Sequence, residues 1–208
     1  MTVRHAIRDL LVLFAVIATF PAWGAVKLGD LVGGGTGLFS TFSELLSLVP
    51  GHSGVFLRRG FYLMTLERCA RDVCISFGTL VCHRQVRIGS QVYIGGRCTI
   101  GTCDIGDFAL IGSNVDILSG NRQHSSSDPS LPRSVQKGTF QTIRIGRNTW
   151  LGNSTVIMAD VGDDSIIGAG SVVVKPIPSH SVAVGNPAVV KHNIKSGVRT
   201  PHRTRLNI

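Results

Sequence analysis

Acidic residues stop at Asp164, and before it they are scarce. Asp and Glu number 12 in this 208-residue chain against 21 Lys and Arg, a formal net charge of +9. That balance favours anionic partners: an acidic membrane surface, a phosphate-rich small molecule or nucleic acid. Aromatics are also scarce, at 6%. With no aromatic-basic interleaving and no zinc-finger spacing, nucleic acid is not expected as a partner. The five cysteines (Cys69, Cys74, Cys82, Cys98, Cys103) cannot all pair, and no Cys-x-x-Cys is present, which argues for reduced thiols. Reduced, structural thiols and a reducing compartment follow. Charged residues make up only 16% while hydrophobic residues reach 43%, with mean hydropathy +0.26. Such a chain needs membrane contact or a stacked apolar interior. The length accommodates one domain plus a small extension.

Residues 1–72 read as an apolar helical region. Arg4 and Arg8 precede an uncharged run from Leu10 to Val26. Three readings of this start stay open: a membrane-associated helix, a secretory signal cleaved near Ala22-Trp23-Gly24, and an ordinary packed helix. Two more apolar runs follow, Leu31 to Phe42 and Leu45 to Leu57. "FLRRGFYLMTLERCARD" then has apolar positions at helical spacing, with Arg58, Arg59, Arg68 and Arg71 expected on other faces. Repeated apolar segments beside basic residues fit helices at a membrane interface.

From about residue 73 to 190 the chain repeats with a period of six. Aliphatic anchors stand at Ile88, Ile94, Ile100, Ile105, Ile111 and Ile117, then at Ile145, Leu151, Ile157, Val161, Ile167 and Val173. Glycine follows nine of these twelve. Four places after an anchor comes a small or β-branched residue: Val92, Cys98, Ala109, Val115, Thr149, Thr155, Ser165 or Ser171. Ile75 and Val81 mark a less regular first turn. This period is neither helical nor that of a hairpin. It suits a prism of three short strands per turn, stacked at roughly 4.8 Å, with the anchors pointing inward. Glycine after each anchor is expected to free the backbone to turn a corner.

The hexads, "NTWLG" at Asn148 to Gly152 and "GAGSVVVKPIPSHSVAVGNPAVVK" at Gly168 to Lys191, resemble the hexapeptide-repeat acyltransferases. The last stretch is similar to the carboxy-terminal signature of the acetyl-CoA-dependent sugar O-acetyltransferase branch. The resemblance implies a mainly β fold, a left-handed parallel β-helix over 73–190 behind the amino-terminal apolar helical region, with a basic tail at 191–208. It also implies an excursion loop, 119–142, with His124 at the place of the catalytic base, reaching over a neighbouring subunit of a homotrimer. Imidazole suits that role, since its ordinary pKa lets it take a proton from a sugar hydroxyl near neutral pH. The plainer alternative is a solvated loop histidine. Asp128 or Asp116 could orient the ring, and His83 could face the same cleft.

By the same resemblance, acetyl-CoA is the acyl donor, held along a groove by Trp150, Asn153, Ala169, Val174 and Lys175, with Lys191 near its phosphates. No metal is expected: the zinc hydratases of this fold need three converging histidines, and only His83 and His124 are candidates. The family members with small soluble acceptors carry acceptor-binding acidic residues in amino-terminal helices, which here are apolar and basic. An asparagine they place before the histidine is replaced near Arg97. The expected acceptor is therefore a saccharide or lipid-linked glycan of surface polysaccharide biosynthesis, acetylated at the cytoplasmic face of the inner membrane. Amino-sugar N-acetylation and a non-catalytic assembly module are the alternatives.

Overall fold

The computed structural model describes residues 3–123, 128 and 130–194. Three helices come first: α1 (Val3–Leu31), α2 (Gly35–Ser47) and α3 (Gly51–Thr65). A parallel solenoid follows. Its first coil is β1 (Arg68–Cys69), β2 (Cys74–Ile75) and β3 (Leu80–Val81), so the helical pattern expected to run on through Arg71 ends earlier. The second coil is β4 (Arg87–Ile88), β5 (Tyr93–Ile94) and β6 (Thr99–Ile100). The third is β7 (Cys103–Ile105), β8 (Leu110–Ile111) and β9 (Asp116–Ile117). After a break come β10 (Ile143–Ile145), β11 (Trp150–Leu151) and β12 (Val156–Ile157), then β13 (Ile166–Ile167) and β14 (Val172–Val173). β15 (Ser181–Val184) ends the parallel stack, and β16 (Val189–Asn193) returns antiparallel to it.

The strands form three walls in the orders β1-β4-β7-β10, β2-β5-β8-β11-β13-β15-β16 and β3-β6-β9-β12-β14. Register within each wall stacks anchor on anchor. In the second wall Ile75, Ile94, Ile111, Leu151, Ile167 and Ala183 form one column. Bridges at Val161 and Ile177 continue the first wall. All twelve anchors named from the sequence are buried, as are the eight small residues four places on. Several small residues also tie coils together. The hydroxyl of Thr149 donates to the Gly162 carbonyl at 3.2 Å, and that of Ser165 to Pro178 at 2.9 Å.

The glycines play a different part from the one expected. The glycines that follow anchors do not take positive φ. Instead the residue three places after an anchor turns the corner in the left-handed region: Gln91, Arg97, Phe108, Asn114, Asn148, Ser154, Asp164 and His180, at φ 53 to 62°. Gly78 and Gly170 fill the same place at φ 75 and 69°. The glycine beside the anchor is needed for close approach. A Cβ on Gly152 would stand 2.5 Å from the Ala169 nitrogen, and one on Gly106 would stand 2.6 Å from the Arg147 nitrogen. Stacked backbones pass so near at these corners that only hydrogen fits.

The helices close the open end of the solenoid. Arg58 and Arg59, expected on outward faces, are both buried. Arg58 donates through Nε to Ile75 O at 2.8 Å and through a terminal nitrogen to Leu46 O at 2.8 Å and Val49 O at 2.9 Å. Arg59 Nε donates to Val73 O at 2.7 Å, and its guanidinium lies over the Phe56 ring. The physical reason is that a parallel stack leaves its terminal coil with carbonyls that have no next coil to pair with, and buried acceptors must be met. Ser43 bonds the Tyr62 hydroxyl at 2.7 Å and donates to Val81 O, while Phe39 stacks on Phe61. Burial pushes the Tyr62 phenol up to about 12.

Candidate functional site

Three edges run along the prism. At the edge between the third and first walls the coils pass through Cys82-His83, Gly101-Thr102, Leu118-Ser119, Met158-Ala159 and Val174-Lys175. Here, after β9, the regular course breaks. Leu118 N still donates to Ile157 O at 2.9 Å, the chain departs at Gly120, and the stack resumes at Ile143. The arm has a paired neck: Gln141 N donates to Ser119 O at 2.9 Å and Thr139 N to Arg122 O at 2.7 Å. Buried Ser119 anchors its base by accepting from Thr102 N at 2.9 Å.

Gln136, a buried polar side chain within the arm, fixes its inner course. Its Nε2 donates to Asp128 O at 2.7 Å and Leu131 O at 2.9 Å, while its Oε1 accepts from Asp128 N at 3.2 Å. The Asp128 carboxylate is taken up in its own turn, accepting from the backbone and hydroxyl of Ser130. Those bonds hold its pKa below the usual carboxylate value. His124 lies outside the described residues. Sequence reasoning passed over Gln136, because a lone glutamine in an irregular segment has no periodic context to mark it.

The other candidates occupy two places. Asn121, at the arm's base, donates from Nδ2 to Val174 O at 3.5 Å, so Val174 and exposed Lys175 adjoin the neck. His83 is on the same edge two coils below the neck, about 10 Å away at strand spacing. Asn153 and Ala169 stand together on a different edge, between the second and third walls. There Asn153 Oδ1 accepts from Ser113 N at 2.9 Å and Asn153 O accepts from Gly170 N at 2.9 Å. Trp150 is half exposed on the second wall, in register with Leu110 and Ile166. Lys191 is exposed on β16, which extends that wall. One wall of six residues separates the two edges, roughly 15–20 Å.

The thiols offer no nucleophile. All five cysteines are free, and burial pushes each thiol pKa up, that of Cys69 to about 12. Among the described residues no three His, Cys, Asp or Glu side chains gather as a metal site. Asp116 faces outward on β9, half-buried, four residues before Gly120, where the arm departs.

A three-walled parallel prism built on hexads, broken once by a polar arm, is a hexapeptide-repeat solenoid. Residues 85–119 match the family described as hexapeptide repeat of succinyl-transferase, and residues 142–175 match bacterial transferase hexapeptide (six repeats). The chain carries repeats of the kind these two family descriptions name. It is 38% identical over 115 residues to the galactoside O-acetyltransferase of Escherichia coli, covering 52% of this chain and 54% of that one. The chain spans about half the length, or less, of the curated relatives it matches. A galactoside acetyltransferase solved with coenzyme A is similar at 26% identity and TM-score 0.58, over 77% of this chain and 82% of that one. A maltose O-acetyltransferase from Clostridium difficile shares the fold at TM-score 0.66 and 23% identity, over 77% and 88%.

Proposed function

We propose that the protein transfers an acetyl group from acetyl-CoA to a saccharide hydroxyl, as a homotrimer serving surface polysaccharide biosynthesis at a membrane. The observation that carries this reading is the break itself. A stack with continuous hydrogen bonding interrupts its register at one corner only to extend a necked arm, and the histidine of that arm is the one the resemblance marks as base. The similarity to a galactoside O-acetyltransferase supports a sugar hydroxyl as acceptor. The coenzyme A complex of a similar enzyme supports the donor.

In this reading His124 takes the proton of the acceptor hydroxyl as its oxygen bonds to the acetyl carbonyl carbon. It returns that proton to the departing thiolate as the carbon–sulfur bond breaks, so the imidazole ends as it began. Backbone N–H groups stabilise the oxyanion between those steps. Trp150 walls the donor groove and the backbone at Asn153, Ala169 and Val174 meets the amides of the pantetheine arm. Lys175 and Lys191 meet the phosphates. The separation of the two edges supports a trimer: a second copy laying its arm against the Asn153–Ala169 edge completes a site that one chain divides.

Thiol release from acetyl-CoA, measured with a panel of neutral and amino saccharides and followed by mass spectrometry of the products, tests the reading. Acetyl esters on a neutral saccharide support it. Acetylation of amino sugars alone, or coenzyme binding without any transfer, overturns it.

A further inference from the structure

α1 is apolar on two opposite faces. Its inner face, Val12, Ala15, Thr19 and Val26, is buried. It is clamped to α3 so tightly that a Cβ on Gly60 would stand 2.6 Å from the Ala15 carbonyl carbon. Half a helical turn away run Leu10, Leu13, Phe14, Ile17, Phe20 and Leu31, between 54% and 81% exposed. Leu28 continues the stripe, and exposed Leu38 of α2 adjoins its end beside Gly29. A surface helix of a globular protein carries polar side chains on its outer face, so this face has a cover.

Length and composition make Asp9–Leu31 apolar enough to cross a membrane, with mean hydropathy 1.9. Its packing argues against crossing. α2 and α3, with 13 and 15 residues, are roughly 20 Å long, too short to accompany α1 through a bilayer core of about 30 Å. α3 is also fixed to the solenoid end by Arg58 and Arg59. α1 is therefore the outermost layer over a cap that stays in water. Charge favours one partner: the chain is +9 overall, and α1 carries Arg4, Arg8 and Lys27 against Asp9 and Asp30, the last of which is paired with Arg84. An anionic bilayer attracts a chain of this net charge.

We infer that α1 lies in the plane of an anionic membrane, sinking its Leu10–Phe20 stripe into one leaflet without spanning it. This deepens the membrane element of the proposed function and is independent of the acetyl-transfer chemistry. The helix then brings the solenoid to the surface where a lipid-linked acceptor would be presented.

Flotation of the full-length protein with phosphatidylglycerol-containing and with pure phosphatidylcholine vesicles is the test. The wild type floats with the anionic vesicles, and the exposed double substitution Phe14→Glu/Ile17→Glu lowers partitioning by about 100-fold or more, the loss of two large apolar side chains from lipid. Its thermal midpoint and its acetyl transfer to a water-soluble saccharide are unchanged, which separates failure of this inference from failure of the catalytic reading. An amino-terminal epitope tag on protein added to preformed vesicles remains open to external protease. Equal flotation of the double variant, a protease-protected tag, or loss of self-association in the variant with no vesicle binding by wild type would each overturn the inference.

Discussion

The Nε of Arg58 donates to the carbonyl of Ile75 at 2.8 Å beneath the first coil, and a terminal nitrogen of the same guanidinium reaches two carbonyls at the end of α2. One side chain thus meets a carbonyl of the first coil and ties it to the end of α2. The other terminal nitrogen is itself buried without a partner. Burial of the cation costs energy, as its lowered pKa reflects, and its hydrogen bonds offset that cost.

Arg58→Leu is expected to destabilise the protein by about 2–4 kcal/mol, because several buried carbonyls lose their donor at once. Arg58→Lys recovers little, since one ammonium cannot reproduce the fork. Urea unfolding followed by circular dichroism measures both. A variant as stable as wild type would mean the helical cap does not depend on this residue.

Two glycine substitutions of opposite sign separate close approach from flexibility. Gly152→Ala places a methyl 2.5 Å from the backbone of the next coil and is expected to cost about 1–3 kcal/mol. Gly24→Ala, inside α1 with nothing within 4 Å of the added carbon, is expected to gain about 0.5–1 kcal/mol from helix propensity. Thermal midpoints of the pair decide it.

Phe108 turns its corner at φ 62°, a region that Asn adopts more readily, and its ring is 44% exposed. Phe108→Asn, which gives this corner the residue that Asn114 and Asn148 give theirs, is expected to stabilise by about 0.5–1 kcal/mol. A raised denaturation midpoint at unchanged slope is the expected observation.

The Asp30–Arg84 pair, with two contacts of 2.9 Å, ties the end of α1 to the turn between the first two coils. Arg84 holds the Asp30 carboxyl below its usual pKa. A depressed folded pKa contributes stability that is present above the unfolded value and lost as pH falls through the folded one. Asp30→Asn therefore lowers the thermal midpoint at neutral pH, and the difference from wild type closes on the acid side of the ordinary aspartate range. A difference independent of pH would assign the effect to packing.

The solenoid was legible because its signal is periodic: each anchor from Ile88 to Val173 recurs where the stack needs an inward aliphatic. The glycine beside nine of the twelve anchors was visible but its reason was not. Sequence separates a glycine needed for φ from one needed for clearance only when the neighbouring coil is in view. Arg58 and Arg59 were misjudged for a related cause. Helical spacing places them on faces other than the apolar one, and only the carbonyls of the first coil explain why two cations belong inside. At the candidate site the lapse of the hexads between Ile117 and Ile145 was visible in the sequence. The clamp by Gln136 and the placement of the candidate residues on two edges depend on tertiary contacts that no spacing encodes.

Transfer by His124→Ala, with coenzyme A affinity measured on the same preparation, tests the central claim most directly. The account predicts a turnover lower by about two to four orders of magnitude with coenzyme binding intact, the loss of one general base. Undiminished turnover in that variant would contradict it.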